Sequence, residues 1–191
     1  MKRQRSKAEL LSHMRTYAAM KKDVELGTCI QNNVAYWTMG VVWCATLWKE
    51  ENFSTNELVK FLQYIKDNDV TELTEEHREE IRSAIGSKGA EWILKNTVTL
   101  QKKKNAVDQA LNELTYHNTK VSVDYSLLAC EYLIKHKGYA KKRLNRVIGD
   151  VYYLDGMPSE MIGQLRQELF DNKGIWIELG KDDIPEGAEV I

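Results

Sequence analysis

Six cations and one phenol ring fall within twelve residues of this chain: Lys135, Lys137, Tyr139, Lys141, Lys142, Arg143 and Arg146. Ammonium and guanidinium groups at this density attract carboxylates and phosphates. Gly138 divides the segment, so it reads as a helix, a short turn and a second helix, in the outline of a helix-turn-helix. Lys141, Lys142 and Arg143 would lead the second helix, where recognition helices meet phosphates and base edges. Lys135, Lys137 and Arg146 could add phosphate contacts and Tyr139 a stacking face, although only Asn145 offers an amide for reading bases. The same cations suit an acidic protein surface, or simply a solvated helix face. An acidic face on a second copy of the chain would also fit, and such a heterologous contact closes into a ring or continues as a filament.

Other candidate chemistry does not assemble. His77 lies among Glu75, Glu76, Glu79 and Glu80, but Thr74 stands where a Glu-x-x-His metal motif needs its carboxylate. Glutamates there suit the positive end of a helix dipole. Gly86-Ser87-Lys88-Gly89 lacks the upstream glycine and strand of a phosphate loop and reads as a helix end. Cys130 with His117 or His136 would suggest a nucleophile, but Cys44 fills the equivalent place earlier in the chain, which points to core packing. His13 has only Glu9 at helical spacing. The expectation is a protein with no catalytic residues, no metal and no cofactor. Three cysteines, Cys29, Cys44 and Cys130, make an odd set without metal-type spacing, as expected of reduced cytosolic thiols buried as small hydrophobes. No apolar run approaches the roughly 18 residues of a membrane span, and the basic start Met1 to Lys7 leads into no signal-peptide core.

These residues need a scaffold, and composition points to helices. The chain has 191 residues, 43% of them apolar, and only two prolines, Pro158 and Pro185. Lys+Arg number 27 and Asp+Glu 28, which excludes a uniformly basic coat for nucleic acid. Apolar residues recur at helical spacing through most of the chain, so the fold class is all-α. Residues 1–28 read as an N-terminal helix. A first module of three helices spans 29–95, a polar linker helix 96–120, a second three-helix module 121–179, and an acidic, mobile tail 180–191. Short extended segments are expected at Trp92 and Trp176. In the first module the helix from about 30 to 50 is apolar on nearly all sides, with Trp37 and Trp48 sharing one face and Trp43 another. Ser54 with Glu57 makes a capping box for the next helix, which turns Leu58, Phe61, Leu62 and Ile65 inward.

The two modules align on each other. A shift of 86 residues places Cys44 on Cys130, Leu47 on Leu133, Asn52 on Gly138, Phe53 on Tyr139, Leu58 on Leu144 and Ile65 on Val151. A shift of 84 places Ile81-Arg82 on Leu165-Arg166 and Trp92-Ile93 on Trp176-Ile177. Asn and Gly are the two residues favoured at a left-handed helix end, so their match has a physical meaning. Outward positions differ between the copies. Lys49-Glu50-Glu51 and Thr55-Asn56-Glu57 in the first stand where Lys135-His136-Lys137 and Lys141-Lys142-Arg143 stand in the second.

The segment from Cys130 to Leu144, a Cys-x-x-Leu helix running into an aromatic–small–Lys-Lys-Arg-Leu turn, resembles a motif of small helical proteins of phages and prophages of Gram-positive bacteria. That resemblance implies no catalytic activity or cofactor. By analogy it implies a role in controlling a host or defence complex in the cytoplasm of a bacterial host; the basic face makes a protein the leading partner and nucleic acid, through 135–146, the alternative.

Overall fold

The computed structural model describes residues 33–86, 88–89, 91, 93, 106–178 and 189–190. The expected N-terminal helix, Cys29, Trp92 and most of the acidic tail lie outside them. Helix α1 runs through residues 33–49, and α2 (Thr55–Asp67) and α3 (Glu75–Ile85) follow it. Residues 88, 89, 91 and 93 are also helical. Next come α4 (Ala106–Lys137), α5 (Lys141–Asp155) and α6 (Ser159–Lys173). The class is all-α. Strand β1 (Ile175–Trp176) pairs in parallel with β2 (Glu189–Val190). The extended segment expected at Trp176 is therefore present, and two residues of the expected mobile tail are held in a strand.

Local chemistry explains most boundaries. The Ser54–Glu57 capping box opens α2, with the Ser54 N–H donating to Glu57 Oε2 at 2.9 Å. Thr74 caps α3 by accepting from the His77 N–H at 3.2 Å. The ends of α1 and α4 share one device. Asn52 has φ 58° and Gly138 φ 63°. The Phe53 N–H then reaches the Leu47 carbonyl at 3.0 Å, and the Tyr139 N–H reaches the Leu133 carbonyl at 3.1 Å. Phe53 and Tyr139 are buried immediately afterwards. Helices α2 and α5 start 86 residues apart and α3 and α6 start 84 apart, the same offsets that align the sequence.

One boundary differs from expectation. No helix ends near residue 120; α4 runs unbroken for 32 residues. No glycine or proline falls between 106 and 137, so nothing interrupts the backbone hydrogen bonds. Its second half, from Val121 to Leu133, is almost wholly buried. It packs on α2 and α3, so residues from both halves of the sequence join one hydrophobic core. Of the tryptophans on α1, Trp43 is fully buried and donates to Ser126 Oγ of α4 at 3.3 Å, while Trp37 and Trp48 lie half-buried at the core edge.

The segment after α3 presses tightly on α5. A Cβ at Gly89 would fall 2.4 Å from Asn145 Oδ1, 2.5 Å from Ile85 Cγ2 and 2.9 Å from Ile148 Cδ1. Gly89→Ala is therefore expected to destabilise the fold by about 1–3 kcal/mol, read as a lower thermal midpoint with secondary structure retained at 20 °C by circular dichroism.

Candidate functional site

The basic segment meets the acidic turn of the first half inside the same molecule. Glu51, one residue before the left-handed Asn52, has a side chain with no exposed surface. Its Oε2 accepts from Arg143 Nε at 2.7 Å and from the Tyr139 hydroxyl at 2.9 Å, and its Oε1 accepts from an Arg146 guanidinium nitrogen at 2.5 Å. The Arg143 guanidinium also lies 4.0 Å over the Tyr139 ring. Burial pushes the Glu51 carboxyl up, but the three hydrogen bonds outweigh it and hold it below the usual range. Tyr139, placed against this carboxylate and buried, titrates above its ordinary value. It is not available as the stacking face that its sequence position suggested.

Two more cations of the segment are also paired. Lys137 donates to Glu57 Oε1 at 2.5 Å and lies over the Phe53 ring at 4.8 Å. That bond, with the Ser54 cap, holds the Glu57 carboxyl at about 2. Lys135 pairs with Glu131 one turn back on α4. Glu131 also accepts from the Tyr64 hydroxyl at 3.0 Å and meets His77 Nε2 at 2.8 Å, so His77 ties α3 to α4. Two turns earlier on α4, Asp124 takes a fork from Arg78 with bonds of 2.7 and 2.8 Å, both groups buried. Lys141 lies 3.5 Å from the Ser83 carbonyl. Asn145 cannot read a base, because its Oδ1 is buried against Gly89.

Of the seven residues the sequence nominated, Tyr139 is buried and Lys137 largely covered, while Lys135, Lys141, Lys142, Arg143 and Arg146 stay exposed. Lys142 is exposed and has no partner among the described residues. Arg143 and Arg146 keep 50% and 61% of their side-chain surface while holding Glu51. Beyond them on α5 come Gly149 and Tyr153, the latter 71% exposed. Lys142, Arg146, Gly149 and Tyr153 are spaced by four, three and four residues, which aligns them along one side of the helix. Glu51, Gly149 and Tyr153 escaped the sequence reading. The helical spacing was a readable signal for the last two; for Glu51 only its place before Asn52 hinted at burial.

The thiols of Cys44 and Cys130 are fully buried, and burial pushes both up, so neither is an activated nucleophile. Among the described residues no three His, Cys, Asp or Glu side chains gather as a metal site, and no helix is long and apolar enough to cross a membrane. Comparison with known proteins finds no matching family model, curated protein or solved structure.

Glu51, Glu57 and Glu131 all protonate below the ordinary carboxylate value of 4.5 in the folded chain. Their contribution to stability is therefore present above the ordinary carboxylate range and is lost as pH falls through their lowered values, which for Glu57 is about 2. Glu51→Gln is expected to remove about 1–2 kcal/mol at pH 7 and to make less difference at pH 3. Urea midpoints of both proteins at the two pH values measure it.

Proposed function

We propose that this chain is a non-enzymatic binding protein that engages an acidic protein surface through the outward side of α5. The resemblance of its Cys130–Leu144 segment to phage proteins makes that partner a host or defence protein. One observation carries the reading. Gly149 sits mid-helix on the exposed side, where glycine costs about 1 kcal/mol relative to alanine, and a Cβ there would meet nothing within 4 Å. Internal packing gives no reason for a glycine at this position. It leaves a low place on the helix between cations at Lys142 and Arg146 and the ring of Tyr153, where a partner's backbone can approach closely. A rigid aromatic residue beside paired cations is the composition of an interface hot spot.

The same reading takes the two halves as copies of one module, supported by helix starts 86 and 84 residues apart, the offsets that align the sequence, and by the shared left-handed ends of α1 and α4. Divergence at Glu51, acidic in one copy where the other is basic, would then have joined the copies to each other. Nucleic acid remains the competing partner. Asn145, the one amide placed to read a base, has its Oδ1 buried, and Tyr139 is buried away from stacking, which favours protein.

Gly149→Ala separates folding from binding. It is expected to raise the thermal midpoint by about 2–4 °C while weakening partner capture. A bacterial protein retained by the immobilised chain should be lost with Lys142→Glu/Tyr153→Ala and reduced with Gly149→Ala; equal retention by all three overturns the reading. Duplex or single-stranded DNA bound with a steep salt dependence, and released by Lys141, Lys142, Arg143→Ala, would replace it with the nucleic-acid reading.

A further inference from the structure

Away from the outward side of α5, helix α2 and the last turns of α4 enclose an open cleft of about 490 Å³. That is within the range of about 300–1,000 Å³ typical of small-ligand sites. Three rings line it. Tyr64 and Tyr132 have centroids 5.3 Å apart, and His136 lies 5.1 Å from Tyr132 and 5.2 Å from Tyr64. The first two rings are fixed before any ligand arrives: Tyr132 is buried to its edge, and the Tyr64 hydroxyl is tied to Glu131. His136, on the exposed last turn of α4, extends the cluster outward at 33° to Tyr132.

The charged groups of the cleft are distributed unevenly. Lys60 is exposed with no partner among the described residues, and Lys137, whose ammonium is bonded to Glu57, lines the same cleft. The cleft's carboxylate, Asp67, accepts from the Gln63 amide at 2.7 Å. The cleft thus offers ring faces at its centre, ammonium groups at the rim and a carboxylate with an amide beside it.

We propose that this cleft binds a nucleoside 5′-phosphate, free or at the end of a single strand, with the base stacked on the exposed His136 ring, Tyr64 (at 69° to His136) meeting it edge-on, and the phosphate held by Lys60 and Lys137. Every nucleobase presents a π-face to such rings, and the salt-dependent attraction of the phosphate is supplied by the lysines. Asp67 is left to accept from an exocyclic amino group, so adenine and cytosine are favoured over uracil. Stacking on Tyr139, which burial forbids, passes in this arrangement to His136. The inference goes beyond the protein-binding reading and stands without it, since it uses none of Lys142, Gly149 and Tyr153.

Calorimetric titration of the whole chain with AMP, CMP, UMP, adenosine and orthophosphate tests it, together with an eight-residue oligodeoxyadenylate carrying or lacking a 5′-phosphate. AMP and CMP should bind, UMP more weakly and orthophosphate not measurably. His136→Ala should weaken AMP about tenfold, within the range of one stacked base, and His136→Tyr should restore it. Lys60→Ala should weaken AMP and leave adenosine unchanged, and Lys142→Ala should change neither. The phosphorylated strand bound far more tightly than AMP assigns the site to strand ends, whereas equal binding assigns it to the free nucleotide. No binding at millimolar nucleotide, orthophosphate bound as well as AMP, or loss that follows Lys142 rather than His136 overturns the proposal.

Discussion

A carboxylate without solvent, held between a phenol and two guanidinium groups, sets how the halves of this molecule meet. Glu51 cannot be satisfied by its own helix: it sits where α1 has just ended and the chain is about to reverse at Asn52. An ionised carboxylate taken out of water is costly unless its lone pairs are used, and every donor it has comes from the region around the start of α5. The turn between α1 and α2 and the turn between α4 and α5 must therefore lie together before the charge can be buried. The two left-handed turns, alike in geometry, differ in the polarity of what flanks them, and that difference holds them face to face.

Further polar links run in the same sense. Lys137 reaches Glu57, His77 meets Glu131, Arg78 forks onto Asp124, and Lys49 reaches Glu168 at 2.5 Å. Each joins an element before residue 90 to one after residue 105. Apolar packing in the shared core supplies the gross stabilisation but little direction, since Leu, Ile and Val faces pair in several registers. Ionic and hydrogen-bonded pairs with fixed geometry penalise the alternatives, because a slipped register leaves Glu51 or Asp124 buried alone. The basic character of residues 135–146 is thus largely a requirement of the fold.

That distinction marks how far the sequence could be read. Helix starts at Ser54 and Thr74, the inward set Leu58, Phe61, Leu62 and Ile65, and the reversals at Asn52 and Gly138 are local, and local chemistry reveals them. The unbroken course of α4 was also local, visible in the lack of glycine and proline, yet its change from polar to apolar near residue 120 reads as a boundary between elements. It is a change of surroundings along one helix: its first turns are partly solvated, and the later ones pass through the core. Pairings such as Glu51 with Arg143 and Arg146 span more than ninety residues and leave no periodicity behind. A count of charges in 135–146 sees cations, while only the fold shows which of them already have anions.

The two glycines on either side of this division carry the same lesson in opposite senses. Gly89 is required: Asn145, Ile85 and Ile148 occupy the space a methyl group would need, and α5 could not approach otherwise. Gly149 meets nothing, so the protein retains a weakened turn in the middle of α5 without any internal gain. Alanine would fit this place, directly between the exposed Arg146 and the exposed Tyr153, and nothing inside the fold calls for glycine there. On that physical ground the two glycines separate a contact the fold needs, on the inner side of α5, from a place on its outward side that the fold does not use.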